Sequence, residues 1–166
     1  MTALQQTQVD TMTDNTSNPA EPSWTVVQQA AADDGLHLLR VLDVGVNFPF
    51  RNYPERFSIL WEFAELDAEG LPSAAELTRM KDFENALCAV MQADHAALLV
   101  MVFTEPAHRE FIWLARNKSA FQNRLNTAEG LGEKLPITLD HETDAQGEFY
   151  LSYATKVVER LKPAAA

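Results

Sequence analysis

Apolar and polar positions alternate most cleanly around Phe57, Ile59, Trp61 and Phe63, which fall on one side of the chain while Ser58 and Glu62 take the other. A period of two is the signature of a strand with a buried face. After the turn residues Asp67 to Pro72 the period changes. Leu77, Met80, Phe83, Leu87, Val90 and Met91 recur at steps of three and four, with Lys81, Asp82 and Glu84 off the stripe, which predicts a helix running to Ala93. Its start is marked by Ser73 and Glu76, the S-x-x-E spacing at which each side chain satisfies the other residue's backbone N–H. Ala96 to Phe103 is continuously apolar, as a strand covered on both faces must be, and Glu105-Pro106-Ala107-His108 turns the chain into a further strand from Glu110 to Ala115.

The flanking segments follow the same rules. Trp24 to Ala31 and His37 to Leu42 have strand composition, and Asp33-Asp34-Gly35 between them predicts a hairpin. Gly45 to Pro54 carries Pro49, Pro54 and the aromatics Phe48, Phe50 and Tyr53 without periodicity, the pattern of a long ordered connection. Asn117 caps a shorter helix to Asn126 with Ala120, Phe121 and Leu125 as its apolar side, and Gly130 and Gly132 end it. Ile137 to Asp140 predicts a strand. From Glu148 onward Phe149, Tyr153, Val157 and Leu161 recur every fourth residue, which predicts a terminal helix.

From Phe57 to Asp140 the order is strand, helix, strand, strand, helix, strand, which predicts an α+β, ferredoxin-like βαββαβ core with an N-terminal β-hairpin and a C-terminal helix. Right-handed crossovers put the strands at Phe57 and Glu110 side by side at the sheet centre, with both helices on one face. The central strands carry large side chains on both faces, Trp61 against Leu60 and Trp113 against Ile112 and Leu114. The second face therefore needs a cover: the C-terminal helix, the aromatic loop, or a second copy of the chain as a homodimer. Residues 1–22 are rich in Gln, Thr, Asp and Asn and are expected to be a disordered tail; 23–162 form one domain and 163–166 a frayed end.

Charge narrows the partners. Lys and Arg number 13 against 24 Asp and Glu, a formal net charge of -11 in 166 residues. Such a field disfavours nucleic acid and anionic membrane and favours a basic protein partner. The first residues hold no basic or apolar run that would make a secretory signal, and the longest apolar stretch is too short to cross a bilayer. With Cys88 as the single cysteine no internal disulfide can form, so a reducing cytoplasm is the expected location.

The chemistry-bearing residues are sparse. His37, His95, His108 and His141 show no ligand spacing, Cys88 lies mid-helix away from the end that activates a thiol, and no glycine-rich phosphate loop or G-x-S-x-G turn occurs. No catalytic residue, metal or cofactor is expected. Two features carry functional weight. The acidic run Glu62, Glu65, Asp67 and Glu69, joined by Asp140, Glu142, Asp144 and Glu148 if they meet in space, would steer a cationic partner. The aromatic loop Phe48, Phe50 and Tyr53 either plugs the open sheet face or presents a binding patch.

Gly70-Leu71-Pro72-Ser73 leading into Phe83-Glu84-Asn85-Ala86-Leu87, Asn52-Tyr53-Pro54-Glu55-Arg56-Phe57 with Trp61-Glu62-Phe63, and Thr104 with Arg109-Glu110-Phe111-Ile112-Trp113 together resemble the bacterial domain of unknown function 695. The likeness spans Ser23 to Tyr153. It departs at Glu105-Pro106-Ala107, where the family more often has glycine, and at Trp113, where tyrosine is usual. The resemblance implies a non-catalytic α+β domain, in some members joined to a domain similar to the acidic inhibitor that regulates ribonuclease E, and it assigns no catalytic residue. The leading expectation is an acidic domain that binds another protein, as a regulator or inhibitor of a basic partner. Its rivals are a toxin-neutralising immunity protein and an enzyme with scattered residues around Glu105, His108 and Arg109.

Overall fold

The computed structural model describes residues 23–29, 35, 37–68, 70–129 and 135–162. The expected tail (1–22) and frayed end (163–166), most of the first hairpin turn, and the helix-ending Gly130 and Gly132 lie outside the described residues. Six strands form one sheet: β1 (Trp24–Gln29), β2 (His37–Leu42), β3 (Glu55–Glu62), β4 (Ala97–Glu105), β5 (His108–Ala115) and β6 (Ile137–Thr143). Their order is β1-β2-β4-β5-β3-β6, and every neighbouring pair is antiparallel. Helices α1 (Ala74–Gln92), α2 (Lys118–Glu129) and α3 (Glu148–Val157) complete a mixed α+β architecture. Among the described residues no helix is long and apolar enough to cross a membrane.

Strand periodicity divides the core into two layers. Phe57, Ile59 and Trp61 of β3 and Phe111, Trp113 and Ala115 of β5 face α1 and α2, meeting Met80, Phe83, Leu87 and Met91 from one helix and Phe121 and Leu125 from the other. Phe57 stacks on Phe121 at 4.0 Å between ring centroids, with Trp113 at 5.9 Å. Arg124 of α2 grips the end of α1, donating to both Asp94 oxygens at 2.6 Å and to the Val90 carbonyl at 2.8 Å. That contact holds the Asp94 carboxyl down at about 2.

The opposite face is covered by α3 and the aromatic loop of the same chain. Leu39, Val41, Met101, Phe103 and Leu114 pack against Tyr150, Ala154 and Val158. Tyr53 is buried and stacks on Phe48 at 5.2 Å, while Phe50 meets Phe48 at 4.9 Å and Tyr150 at 5.8 Å. Phe50 also closes over Gly147, the left-handed residue (φ 66°) preceding α3, where a Cβ would stand 2.2 Å from its ring. The Tyr150 hydroxyl donates to the Leu42 carbonyl at 2.6 Å, and burial pushes its pKa up to about 12. Toward β6 this face turns polar: Ser58 bonds Glu110, and Arg56 pairs with Glu142 while lying over the Phe149 ring.

Three local features depart from simple periodicity. The register of β4 shifts between Leu99 and Met101, so Val100 and Met101 both face α3 while Leu99 and Val102 both face α1. A bulge of this kind lets a wholly apolar strand serve two layers out of phase. The terminal helix stops at Val157, beyond which Val158 is extended and Glu159–Leu161 form a 3-10 turn. Strand β5 starts at His108 rather than Glu110, because Pro106 and Ala107 alone make the turn and Glu105 pairs with His108. Ala107 adopts φ 75°, a left-handed conformation that costs a residue with a Cβ about 1–2 kcal/mol. Ala107→Gly is therefore expected to raise stability by about 0.5–1 kcal/mol after the added unfolded-chain entropy is subtracted. Chemical denaturation checks this, and a loss of stability would show that the turn carries no strain.

Candidate functional site

The acidic residues divide into two groups. Glu62 ends β3, and Glu65 and Asp67 follow on an exposed loop; Glu69 lies outside the described residues. The loop is pinned along its length. Phe63 N–H donates to the Ala107 carbonyl (2.8 Å), Ala107 N–H to Gly70 (3.1 Å), and Asp67 and Leu71 exchange backbone and side-chain bonds at 2.9 Å. Glu142, Asp144 and Glu148 lie at the other end of β3, with Asp140 opposite Ser58 in its middle; Glu142 stands opposite Arg56, six residues from Glu62. At the rise of a strand that separation is about 20 Å. There two of the carboxylates are already engaged: Glu142 pairs with Arg56, and Asp144 caps α3 by accepting from the Glu148 and Phe149 amides at 2.9 and 3.0 Å. The two groups therefore do not merge into a single anionic surface.

The other sequence candidates separate as well. Phe48, Phe50 and Tyr53 belong to the core layer beneath α3. His108 Nε2 lies 3.2 Å from Glu105, but Arg109 points to the opposite sheet face, where its Nε donates to Thr104 Oγ1 at 2.9 Å. Burial and the neighbouring Glu84 carboxylate push the Cys88 thiol up to about 11, so it stays protonated and unreactive at neutral pH.

A site that sequence patterning did not single out lies on the α1 side of the sheet. The β1–β2 hairpin extends the sheet beyond the reach of α1 and leaves a groove of about 380 Å³ between them. That volume falls within the roughly 300–1,000 Å³ usual for ligand pockets. Its floor is apolar, built by Leu38, Val102 and Met80, and its outer walls are Val26 and Leu77, which are 59 % and 41 % exposed. Leu77, expected in the buried stripe, is thus the wall of a groove, because its turn of the helix overhangs the hairpin rather than the sheet centre.

The polar residues of the groove are mostly cationic. Arg40, from the middle of β2, pairs with Glu84 of α1 and lies 4.7 Å from the centre of the Trp24 ring. Lys81 sits one helical turn before it on the same wall. Arg109 enters from β5, and neither it nor Lys81 has a carboxylate within ion-pairing distance among the described residues. Burial, and then the charge of Arg40, hold the Arg109 guanidinium below its ordinary pKa. Among the described residues three cations and one carboxylate thus line the groove, in a chain of net charge -11.

Strand β1 forms both a wall of this groove and an edge of the sheet. Its six residues, Trp-Thr-Val-Val-Gln-Gln, include no ionisable side chain, whereas the edge strand β6 carries Asp140, His141 and Glu142. Edge strands expose unpaired backbone groups, and charges on them block unwanted pairing. Among the described residues the sheet is therefore guarded by charge at one edge and uncharged at the other.

No curated protein and no solved structure matches the chain. The model of a family of unknown function, DUF695, matches residues 23–154, a span that holds all six strands, both α1 and α2, and most of α3, and the chain belongs to that family.

Proposed function

We propose that this chain is a non-catalytic binding domain that holds another protein along the β1 edge and the groove behind it. The asymmetry of the two sheet edges carries the reading: β6 bears charges, while β1 is uncharged and lies beside the groove. An extended segment of a partner would continue the sheet through backbone hydrogen bonds and send alternate side chains into the groove. Separation of Arg109 from Glu105 and His108 supports the non-catalytic part. The proposal also takes β3 to β6 with α1 and α2 as a ferredoxin-like core, supported by the order β4-β5-β3-β6 and by both helices packing on one face. It further takes the cytoplasm as the working compartment, supported by a single thiol.

A photo-crosslinking residue at Val26, introduced in the native host, tests the contact. A protein adduct at Val26 and none at Thr138 on the opposite edge is expected; adducts at Thr138 alone would overturn the assignment.

The acidic loop supports a second reading, a regulator or inhibitor of a basic partner, the immunity role included. Glu62 and Glu65 are exposed on a segment fixed by backbone bonds, so their carboxylates are presented with little left to order. Such a partner should be released as salt shortens the Debye length from about 10 Å at 0.1 M to about 3 Å at 1 M. Its adduct would appear at Glu65 and not at Val26.

A further inference from the structure

We propose that the groove binds a free monocarboxylic acid with an apolar tail: the carboxylate sits between the Thr104 hydroxyl and the Arg109 guanidinium, and the tail lies over Leu38 beneath Leu77. The site is independent of the β1 contact, because its head end lies inside the sheet and not at its edge.

Cross-strand register sets out the two ends. On the groove face Leu38 of β2 stands opposite Thr104 of β4, and Thr104 opposite Arg109 of β5. The neighbouring row is Val26, Arg40 and Val102. The pair Thr104 and Arg109 thus marks the inner end, and Leu38 leads from it towards the hairpin, with Leu77 of α1 as the facing wall. Two strand spacings, about 10 Å, separate Thr104 from β1. A side chain on a strand added at the edge would have to cross both β1 and β2 to reach Thr104, so the occupant of the inner end is a free molecule that enters along the groove.

Thr104 is the residue that lacks a partner. It is only 6 % exposed, and its Oγ1 accepts the Arg109 Nε–H at 2.9 Å. Among the described residues its own hydroxyl hydrogen has no acceptor. A buried donor left unused is unfavourable, and an incoming oxygen relieves it. A carboxylate brings two oxygens, one for the hydroxyl and one for the guanidinium, and bonds between ionised groups are the strong ones. Burial, and then Arg40, already disfavour the charge on Arg109, an effect that an anion offsets. Glu84 on the same wall disfavours a second carboxylate on the ligand, and the apolar floor disfavours a bare inorganic anion.

The test is titration of the full chain with octanoate, octanamide and acetate, followed by NMR of the backbone amides. Octanoate is expected to saturate with shifts confined to the groove, about tenfold more tightly than octanamide, the difference between a charged and a neutral acceptor. Acetate lacks the tail and should bind more than about tenfold more weakly than octanoate, since each buried methylene is worth about fourfold. Thr104→Val keeps the side-chain shape without the hydroxyl, and it and Arg109→Gln should each erase the preference for octanoate over octanamide. Leu77→Ser, at an exposed position, should weaken octanoate and octanamide alike.

Equal binding of octanoate and octanamide, acetate binding as tightly as octanoate, shifts spread over the whole surface, or no binding would overturn the proposal. Should the Thr104 and Arg109 variants fail to fold, Leu77→Ser decides: octanoate binding unaffected by it would place the tail elsewhere and overturn the assignment. A peptide capped at its N-terminus and ending in leucine with a free carboxylate is the comparison ligand. Tighter binding of that peptide than of octanoate would assign the seat to a protein C-terminus and overturn the free acid.

Discussion

Replacing Glu76 by leucine is expected to destabilise the domain by about 2–3 kcal/mol, because two donors lose their acceptor at once. Glu76 is only 5 % exposed, and its carboxylate accepts from the Trp61 indole N–H at 3.2 Å and from the Ala64 amide at 2.9 Å. Those bonds tie the start of α1 to the end of β3 and fix the point at which the acidic loop departs. Leucine fills similar space but offers neither oxygen, so the indole and the amide are left desolvated. For a domain of this size the loss corresponds to a fall in Tm of about 4–12 °C. Glu76→Gln retains one acceptor oxygen and should cost about 1 kcal/mol. Calorimetry of the three proteins decides it; a leucine variant as stable as the parent would mean that these bonds contribute nothing net.

A change at Val26 should act on binding and leave the fold intact. Val26→Glu alters an exposed position, where substitutions usually shift stability by no more than about 0.5 kcal/mol. It also sets a carboxylate directly across from Arg40, inside the groove. That side chain would put a charge on the uncharged β1 edge and pair with Arg40 across the mouth of the groove, so the affinity for an added segment should fall by more than about tenfold. Val26→Leu keeps the wall apolar and should leave affinity unchanged. Should Val26→Glu bind the partner as well as the parent does, the contact lies elsewhere, and the acidic loop at Glu62 and Glu65 becomes the better reading.

The sequence made the elements legible where one face is buried and the other is not. Phe57, Ile59 and Trp61 alternate with Ser58 and Glu62 in the chain and divide between core and outer face in the structure. Ser73 was legible as the cap of α1 because its hydroxyl accepts from the Glu76 amide at 3.2 Å, a bond made within one turn. The Glu76 carboxylate was not, since its partners Trp61 and Ala64 reach it only after the loop folds back. The bulge at Val100 left no trace in a run where every residue is apolar, because there is no polar position to fall out of phase.

The groove was illegible for a different reason. Arg40 comes from β2, Lys81 and Glu84 from α1, and Arg109 from β5, and no local spacing relates them. One signal was available: Arg40 interrupts the otherwise apolar run Leu38, Leu39, Val41 and Leu42, on the side of β2 opposite buried Leu39 and Val41. A lone guanidinium in a strand of that kind implies an opening on its own face. The acidic run, by contrast, was conspicuous in the chain, yet the strand register places its two halves at opposite ends of β3.

The contact edge is tested most directly by amide hydrogen exchange of the full chain, alone and bound to the partner captured at Val26. Protection gained by the amides of residues 24–29, with no change from Glu62 to Asp67, is the result predicted for strand addition at β1. Protection gained between Glu62 and Asp67, with β1 exchanging as freely as before, would contradict it.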